Sequence, residues 1–219
     1  MLEEAELLFG DRLPIAQRYA EFLAGPGLER GLLGPRELPR IWERHLLNCA
    51  VLTELLPEQA RVVDIGSGAG LPGLVLACRR PDLRVDLVES LQRRVDFLAE
   101  AVELLDLAAT VRVVHGRAED PPVVAAVGSA QWVTARAVAP LDRLVRWCLP
   151  LLDVGGSLLA MKGESAEQEL AEHRTSIKSL GGSTGRLVEC GSGVITPPLR
   201  VVVIERERLV KPKKGRVSR

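Results

Sequence analysis

The stretch with the clearest capacity for chemistry runs from residue 62 to residue 73. Three apolar residues and Asp64 predict a short buried strand, and three alternate glycines predict a sharp turn after it. Pro72 predicts that a helix begins there, because its missing N–H would be unpaired in a first helical turn anyway. A strand, a glycine turn and a helix in this order are typical of a nucleotide-cofactor site at the carboxyl edge of a parallel sheet. The glycines are Gly66, Gly68 and Gly70.

The glycine spacing fits two classes of cofactor. Residues 68–73 match the G-x-G-x-x-G pattern of dinucleotide-binding proteins. The three alternate glycines, with Asp64 two residues before them, match S-adenosylmethionine (SAM) methyltransferases instead. Asp64 is unusual in a strand buried on both faces, because an ionised carboxylate there needs loop amides or a ligand's ammonium group as partners. The spacing alone leaves both classes open, together with a glycine turn of no special function.

Charged residues end or follow four further predicted strands. Glu89 lies nineteen residues after Gly70, where an acid in nucleotide folds accepts hydrogen bonds from ribose hydroxyls, although it could also stabilise a helix N-terminus. An acid there would repel a phosphate on that ribose, so NADP is not expected. Arg117, Arg136 and Lys162 come at the ends of the third, fourth and fifth strands. Three cations along one edge predict a surface for a polyanion.

Composition argues against several functional classes. The four cysteines and three histidines are scattered without metal-ligand spacing, so we expect no metal site. Aromatic residues make up 3% of the chain, which argues against an aromatic platform for single-stranded nucleic acid. No apolar run approaches the ~20 residues that cross a bilayer, and the acidic N-terminus lacks the basic region of a signal peptide. We therefore expect a cytoplasmic protein with no membrane partner.

The elements that position these residues form three predicted parts. Residues 1–60 predict an N-terminal helical extension, with helices over 2–24 and about 40–56 and a loop from Gly31 to Pro39. Residues 61–206 alternate β-branched runs with helical segments, which predicts an α/β, Rossmann-like domain. Residues 207–219 predict a basic flexible tail. Expected core contacts of the first helical region are Leu7, Leu8, Tyr19, Phe22 and Leu23.

The α/β part predicts a seven-stranded, mostly parallel sheet. The last two strands are joined only by a loop, which suits an antiparallel hairpin, so one antiparallel strand is expected near the edge. The predicted strands cover residues 61–65, 84–89, 110–114, 131–135, 157–161, 186–190 and 199–205.

Several short motifs in a fixed order resemble the RsmG (GidB) family. These are bacterial methyltransferases of 16S ribosomal RNA that methylate a guanine at N7, in a loop of the decoding region. The resemblance covers about residues 35–205 and is specific in combination. Its motifs are WERHLLN at 42–48, DIGSGAGLPG at 64–73, LVESL at 87–91, RRVDFL at 93–98, GRAE at 116–119, RA at 136–137 and KG at 162–163.

The resemblance implies a class I SAM-dependent methyltransferase fold, SAM as cofactor, and 16S ribosomal RNA or the small ribosomal subunit as partner. Two positions depart from the family pattern, which usually has Ser at Ala135 and Asp at Asn48. The positions matching the family's SAM contacts are Gly66, Leu71, Glu89, Ala118, Glu119 and Arg136, with Asp64, Gly68 and Gly70 in the same loop and Ser90 beside the ribose acid. The residues expected to contact RNA are Arg117, Arg136 and Lys162.

Three other functions remain open at the level of the sequence. They are methyl transfer to another substrate, a cofactor-gated RNA-binding or ribosome-assembly protein without turnover, and a nicotinamide dehydrogenase. No separate substrate domain fits in the chain, which disfavours the dehydrogenase. We name no catalytic base, because guanine N7 has no proton to lose. The basic tail predicts either RNA attachment or a solubilising end, and a monomer is expected.

Overall fold

The computed structural model describes residues 2–210. Its centre is one seven-stranded sheet with the strand order β3-β2-β1-β4-β5-β7-β6. Strand β7 runs antiparallel to both of its neighbours, β5 and β6, and the other neighbouring pairs are parallel. The predicted sheet with one antiparallel strand near its edge is confirmed. The strands are β1 Arg61–Ile65, β2 Arg84–Glu89, β3 Val111–His115, β4 Ala130–Arg136, β5 Leu152–Lys162, β6 Arg186–Cys190 and β7 Leu199–Glu205.

Strand β5 begins earlier than its apolar run predicts. Leu152 already pairs with Ala130 of β4, and the register then shifts before Trp132 pairs with Ser157. Asp153, Val154 and Gly155 lie in this shifted part of β5 and are exposed, so they carry no hydrophobic pattern that could predict a strand.

Helices cover both faces of the sheet. The N-terminal helices, α4 and α5 share one hydrophobic cluster with one face, and α6, α7 and α8 form a second cluster with the other. Each parallel crossover therefore buries a helix against the strands that it connects. The helices are α1 Leu2–Phe9, α2 Leu13–Phe22, α3 Asn48–Ala50, α4 Gly73–Arg79, α5 Gln92–Leu104, α6 Pro121–Val127, α7 Leu141–Cys148 and α8 Ala166–Ser179.

The N-terminal segment differs from its prediction in three details. Helical structure does not end at Gly25 but continues as a π-helical turn over Leu23–Gly27, because a wider turn accommodates Pro26 and its missing N–H. The expected loop before residue 40 contains a 3₁₀ helix, Pro35–Arg40. Leu7 is 70% exposed, because α1 packs through Ala5, Leu8 and Phe9 on its opposite face.

The second N-terminal helix is confirmed, but its winding is mixed. A π-helical turn spans Ile41–Leu47, α3 follows it, and a 3₁₀ turn ends the segment at Val51–Leu55. Nothing in the apolar periodicity of residues 40–56 distinguishes these windings. The predicted basic tail lies largely outside the described residues.

Between residues 2 and 210, every helix is too short or too polar to cross a bilayer.

Candidate active site

The predicted glycine turn joins β1 to α4 and needs glycine at defined positions. Gly66, Gly68 and Gly70 all have positive φ angles, of 68°, 58° and 99°. The backbone N–H groups of Gly66 and Ser67 donate to the carbonyl oxygen of Val88 at 2.9 and 3.2 Å, which ties the turn to β2. A Cβ on Gly66 would lie 2.8 Å from a methyl group of Val138. Only glycine therefore fits this turn without strain.

Asp64 lies under the turn rather than on an open surface. Its Oδ2 accepts a hydrogen bond from the backbone N–H of Gly73 at 3.1 Å, and the Ser67 hydroxyl donates to its backbone carbonyl at 3.0 Å. Within residues 2–210, Oδ1 of Asp64 is a buried oxygen without a hydrogen-bond partner. Burial raises the pKa of Asp64 to about 7. The carboxyl group thus joins the start of α4 to the turn while one acceptor is unused.

The N-terminal extension also holds this turn. The hydroxyl of Tyr19, on α2, donates to the carbonyl oxygen of Ala69 at 2.6 Å, and both residues are buried. Burial raises the pKa of Tyr19 well above its usual value, so the hydroxyl keeps its proton and remains a donor. Tyr19 was predicted only as a core contact. Its polar role depends on a partner fifty residues away, which no local pattern reveals.

Glu89 links the first two loops of the sheet edge. Its Oε2 accepts from the N–H of Gly68 at 3.0 Å, and its Oε1 accepts from the N–H groups of Ser90 and Leu91 at 2.8 and 3.0 Å. The Arg94 guanidinium lies 3.5 Å from the same carboxylate. The residue expected to bind ribose hydroxyls therefore also fixes the backbone of both loops around it.

A cavity opens beside these loops at the carboxyl ends of β1, β2 and β3. The structure brings five predicted residues together on its wall, which are Gly66, Ser90, Arg117, Ala118 and Glu119. Val138 and Trp147 also line the wall and were not predicted, since nothing in their sequence context marks them; the remaining lining residues are Ile65, Val88 and Gly116. Five other predicted cofactor residues do not line this wall, namely Asp64, Gly68, Gly70, Leu71 and Glu89. Of these, Glu89 lies behind the wall and is 3% exposed.

A second cleft lies at the carboxyl ends of β4 and β5. Arg136 and Lys162 line it, as the cation pattern predicts, together with Arg44 and Asn48 from the N-terminal extension. Val138 lines both the cavity and the cleft, so the two spaces are neighbours on either side of this residue. Arg117 lines only the first cavity, so the three predicted cations do not share one space.

Lys162 is held by contacts within the chain. Its Nζ donates to the Ala139 carbonyl at 3.0 Å and to Oε2 of Glu169 at 2.8 Å. The carboxylate of Glu169 also accepts from the N–H of Leu141 and from the Ser165 hydroxyl. Only 12% of the Lys162 side chain is exposed, so its charge faces the cleft from a fixed position.

Arg136 is clamped by the N-terminal extension. Its Nη1 donates to Sγ of Cys49 at 3.1 Å, and its Nη2 donates to the Arg44 carbonyl at 3.1 Å and to Nδ1 of His45 at 2.7 Å. His45 Nε2 in turn lies 2.8 Å from Oε2 of Glu37. These partners were missed as site residues, although two of them fall in the motif at 42–48.

The part of the chain that the structure describes contains no group of three His, Cys, Asp or Glu residues that could hold a metal ion. Its four cysteines are free and buried.

Comparison with known proteins decides the family. The family model for GidB, rRNA small subunit methyltransferase G, matches residues 12–196. The chain belongs to this family. A ribosomal RNA small subunit methyltransferase G from Salinispora arenicola is 56% identical, with 98% of this chain and 91% of the relative covered. The corresponding protein from Mycolicibacterium smegmatis is 54% identical, with 99% and 92% covered.

Solved methyltransferase structures share the fold. An rRNA methylase from Streptococcus thermophilus superposes with a TM-score of 0.50 at 18% identity, covering 73% of this chain and 94% of that protein. TYW2 from Pyrococcus horikoshii, solved in complex with MeSAdo, gives a TM-score of 0.55 at 13% identity, covering 75% and 63%. At these identities the likeness concerns the architecture, which is that of class I SAM-dependent methyltransferases.

The site fits SAM, which is the cofactor of this family. The cavity beside the turn exposes the backbone of Gly66 and extends past Ser90 to Ala118. The Glu89 carboxylate lies behind the wall, and the buried carboxyl group of Asp64, whose pKa is raised to about 7, lies under the turn with one oxygen unused. A cationic ligand with ribose hydroxyls matches this combination of acids and open backbone.

Proposed function

We propose that this protein transfers a methyl group from SAM to N7 of a guanine in the decoding-region loop of 16S ribosomal RNA. The family to which the chain belongs consists of rRNA small subunit methyltransferases. The observation that carries the proposal is that the glycine-turn cavity and the cationic cleft lie on either side of one residue, Val138. A donor in the first space and a base in the second would be neighbours across that residue.

We propose that the donor is bound mainly by the loops of β1, β2 and β3. Glu89, which lies behind the cavity wall at the end of β2, would accept hydrogen bonds from the ribose hydroxyls, and the adenine ring would lie against the wall formed by Ala118 and Glu119. When bound, SAM supplies an electrophilic methyl group on a sulfonium ion. The full set of proposed donor-site residues is Asp64, Gly66, Gly68, Gly70, Leu71, Glu89, Ser90, Ala118, Glu119 and Arg136.

The acceptor needs positioning rather than a catalytic base. Guanine N7 carries an in-plane lone pair and no proton, so the chain has only to orient the base and exclude competing geometries. Well-oriented reacting pairs can gain about 7–11 kcal/mol from positioning alone. Arginine commonly contacts guanine through both O6 and N7. Because N7 must accept the methyl group, we propose that Arg117, Arg136 and Lys162 contact O6 or phosphate and leave N7 open.

The two departures from the family pattern both fall in the acceptor cleft. Asn48 and Ala135 line it together with Arg136 and Lys162. A neutral Asn48 leaves the cleft with less negative charge than the usual aspartate would, which suits a polyanionic substrate.

We also propose the working organisation of the chain. Residues 1–60 would be a helical extension that supports the site and residues 61–206 the catalytic domain. Since the proposed substrate is ribosomal RNA, the protein would act in the cytoplasm on the small subunit or its RNA.

The decisive experiment incubates labelled SAM with small subunits that lack the modification and maps the modified base. We expect one labelled guanine in the decoding-region loop, methylated at N7. Label in another RNA, a protein or a small molecule would contradict the assigned substrate. RNA binding without any labelled product would contradict turnover.

A further inference from the structure

The environment of Arg136 contains a chain of side chains that the proposed chemistry does not itself require. The guanidinium ends β4 in the acceptor cleft, and the turn Ile41–Leu47 brings His45 against it. His45 is 7% exposed, and on its other side lies Glu37. The order of contacts is therefore carboxylate, imidazole, guanidinium.

Hydrogen-bond chemistry fixes the proton positions in this chain. A guanidinium has only donors, so Nδ1 of His45, 2.7 Å from Nη2 of Arg136, must be the acceptor. The ring proton is then on Nε2, which donates to Oε2 of Glu37 at 2.8 Å. This is the neutral tautomer, and a protonated ring would place an N–H against the guanidinium.

Resting on the function proposed above, we propose that His45, oriented by Glu37, is a positioning residue that fixes Arg136 in the acceptor cleft. Arg136 has three donated bonds to residues 44–49, so its guanidinium plane is set by the N-terminal extension and not by the strand that carries it. His45 supplies the shortest of the three contacts. The extension is thereby part of the acceptor site.

The surrounding charges agree with a neutral ring. Burial, followed by the Arg136 charge, lowers the pKa of His45 below its usual 6.5. Arg44 also faces the ring and disfavours its protonation, while Glu37 favours it. The other titratable groups near Arg136 are Tyr19, Cys49 and Asp64. The folded-state pKa lies below 6.5, so the contact is intact at neutral pH and fails as the pH falls through that lowered pKa.

Two substitutions of His45 distinguish the role of Nδ1 from that of Nε2. In His45→Asn, the amide oxygen takes the place of Nδ1 and can still accept from Arg136. In His45→Gln, the amide nitrogen reaches toward Glu37 as Nε2–H does, but the Nδ1 acceptor is lost. We expect His45→Gln to lower kcat/KM for RNA by about ten- to a hundred-fold, the effect of losing a hydrogen bond to a charged group. His45→Asn should retain activity within a few-fold of wild type.

The matched readouts are SAM affinity by calorimetry, thermal unfolding, and the pH profile of methyl transfer. Because Arg136 is also a proposed donor contact, SAM affinity should fall in His45→Gln by much less than kcat/KM for RNA, and it should stay near the wild-type value in His45→Asn. The acid limb of the profile below pH 6.5 should disappear in His45→Asn. Equal losses in the two variants, or no loss in either, would overturn the positioning role. A parallel fall in SAM affinity in His45→Gln would assign the arginine to the donor alone and overturn the acceptor role.

Two further measurements leave the buried ring unchanged, and the second of them needs no activity assay. Glu37→Leu removes the partly exposed carboxylate. We expect kcat/KM for RNA to fall a few-fold, which is less than in His45→Gln. An unchanged kcat/KM would contradict the orientation of His45 by Glu37. Nitrogen-15 NMR of the chain's three histidines should show an Nε2–H tautomer for His45 that is weakened in Arg136→Ala. An Nδ1–H tautomer in the wild type would overturn the positioning role of His45, whether or not the protein has the proposed function. A wild type that transfers no methyl group would refute only the proposed function.

Discussion

Replacing Tyr19 by Phe tests how far the N-terminal extension controls the cofactor turn. The change deletes one oxygen atom and leaves the ring in place. The lost contact is the 2.6 Å hydrogen bond to the Ala69 carbonyl, which is buried at both ends. A buried carbonyl without its partner costs about 1–3 kcal/mol. The turn can recover part of that cost only by moving its carbonyl toward water, out of the observed conformation.

The expected magnitude follows from this shift in population. If the whole cost falls on the turn, the fraction of molecules in the binding conformation falls, and the Kd for SAM rises by up to about 5- to 150-fold. Thermal unfolding should shift down by about 2–4 °C for each kcal/mol lost from the free energy of unfolding. Calorimetric titration with SAM and thermal unfolding on the same samples measure both quantities.

Thr53→Val provides the matched control. The Thr53 hydroxyl also donates to a buried carbonyl, that of Ala50 at 2.8 Å, within the helical turn Val51–Leu55. That carbonyl also accepts from Arg79, so its loss is milder and lies outside the glycine turn. We expect this variant to lose stability while its SAM affinity stays at the wild-type value. If Tyr19→Phe behaves in the same way, with lower stability and unchanged SAM affinity, the extension does not hold the turn and the reasoning is wrong.

Three further predictions concern the site. Gly66→Ala places a side chain at a positive φ angle, which costs about 1–2 kcal/mol, and its Cβ would overlap Val138. SAM affinity should fall in this variant and partly recover when Val138→Ala is added. If affinity does not recover, the overlap with Val138 is not the cause. The folded-state pKa of Asp64, about 7, exceeds its unfolded value, so the free energy of unfolding of the wild type should fall as the pH rises from about 4 to 7. The stability difference between Asp64→Asn and wild type should therefore shift in favour of the variant by up to about 2–3 kcal/mol between pH 5 and pH 8. The same difference at both pH values would refute this. If Arg117 and Lys162 contact phosphate, Arg117→Ala and Lys162→Met should each reduce the slope of log K for RNA binding against log salt concentration by about one. SAM affinity should stay nearly intact in both variants. A large loss of SAM binding in Arg117→Ala would refute this division of roles.

The sequence by itself determined the sheet and the cofactor turn, because both depend on local signals. Alternation of β-branched runs with helical segments predicted all seven strands. Positive φ at Gly66, Gly68 and Gly70 is a property of single residues, and the motif order of residues 42–163 was specific enough to indicate the family. Local periodicity failed where the winding was irregular, as in the π-helical turn Ile41–Leu47.

Only the tertiary structure decided which distant groups meet. Strand order placed Arg136 and Lys162 in one cleft and Arg117 in another space, although all three occupy equivalent positions at strand ends. The hydrogen bond between His45 and Arg136 joins residues 91 positions apart in the sequence, and the one between Tyr19 and Ala69 joins residues 50 positions apart. Neither contact leaves a periodic trace in the sequence, because each is a single hydrogen bond made when separate helices pack against the sheet edge.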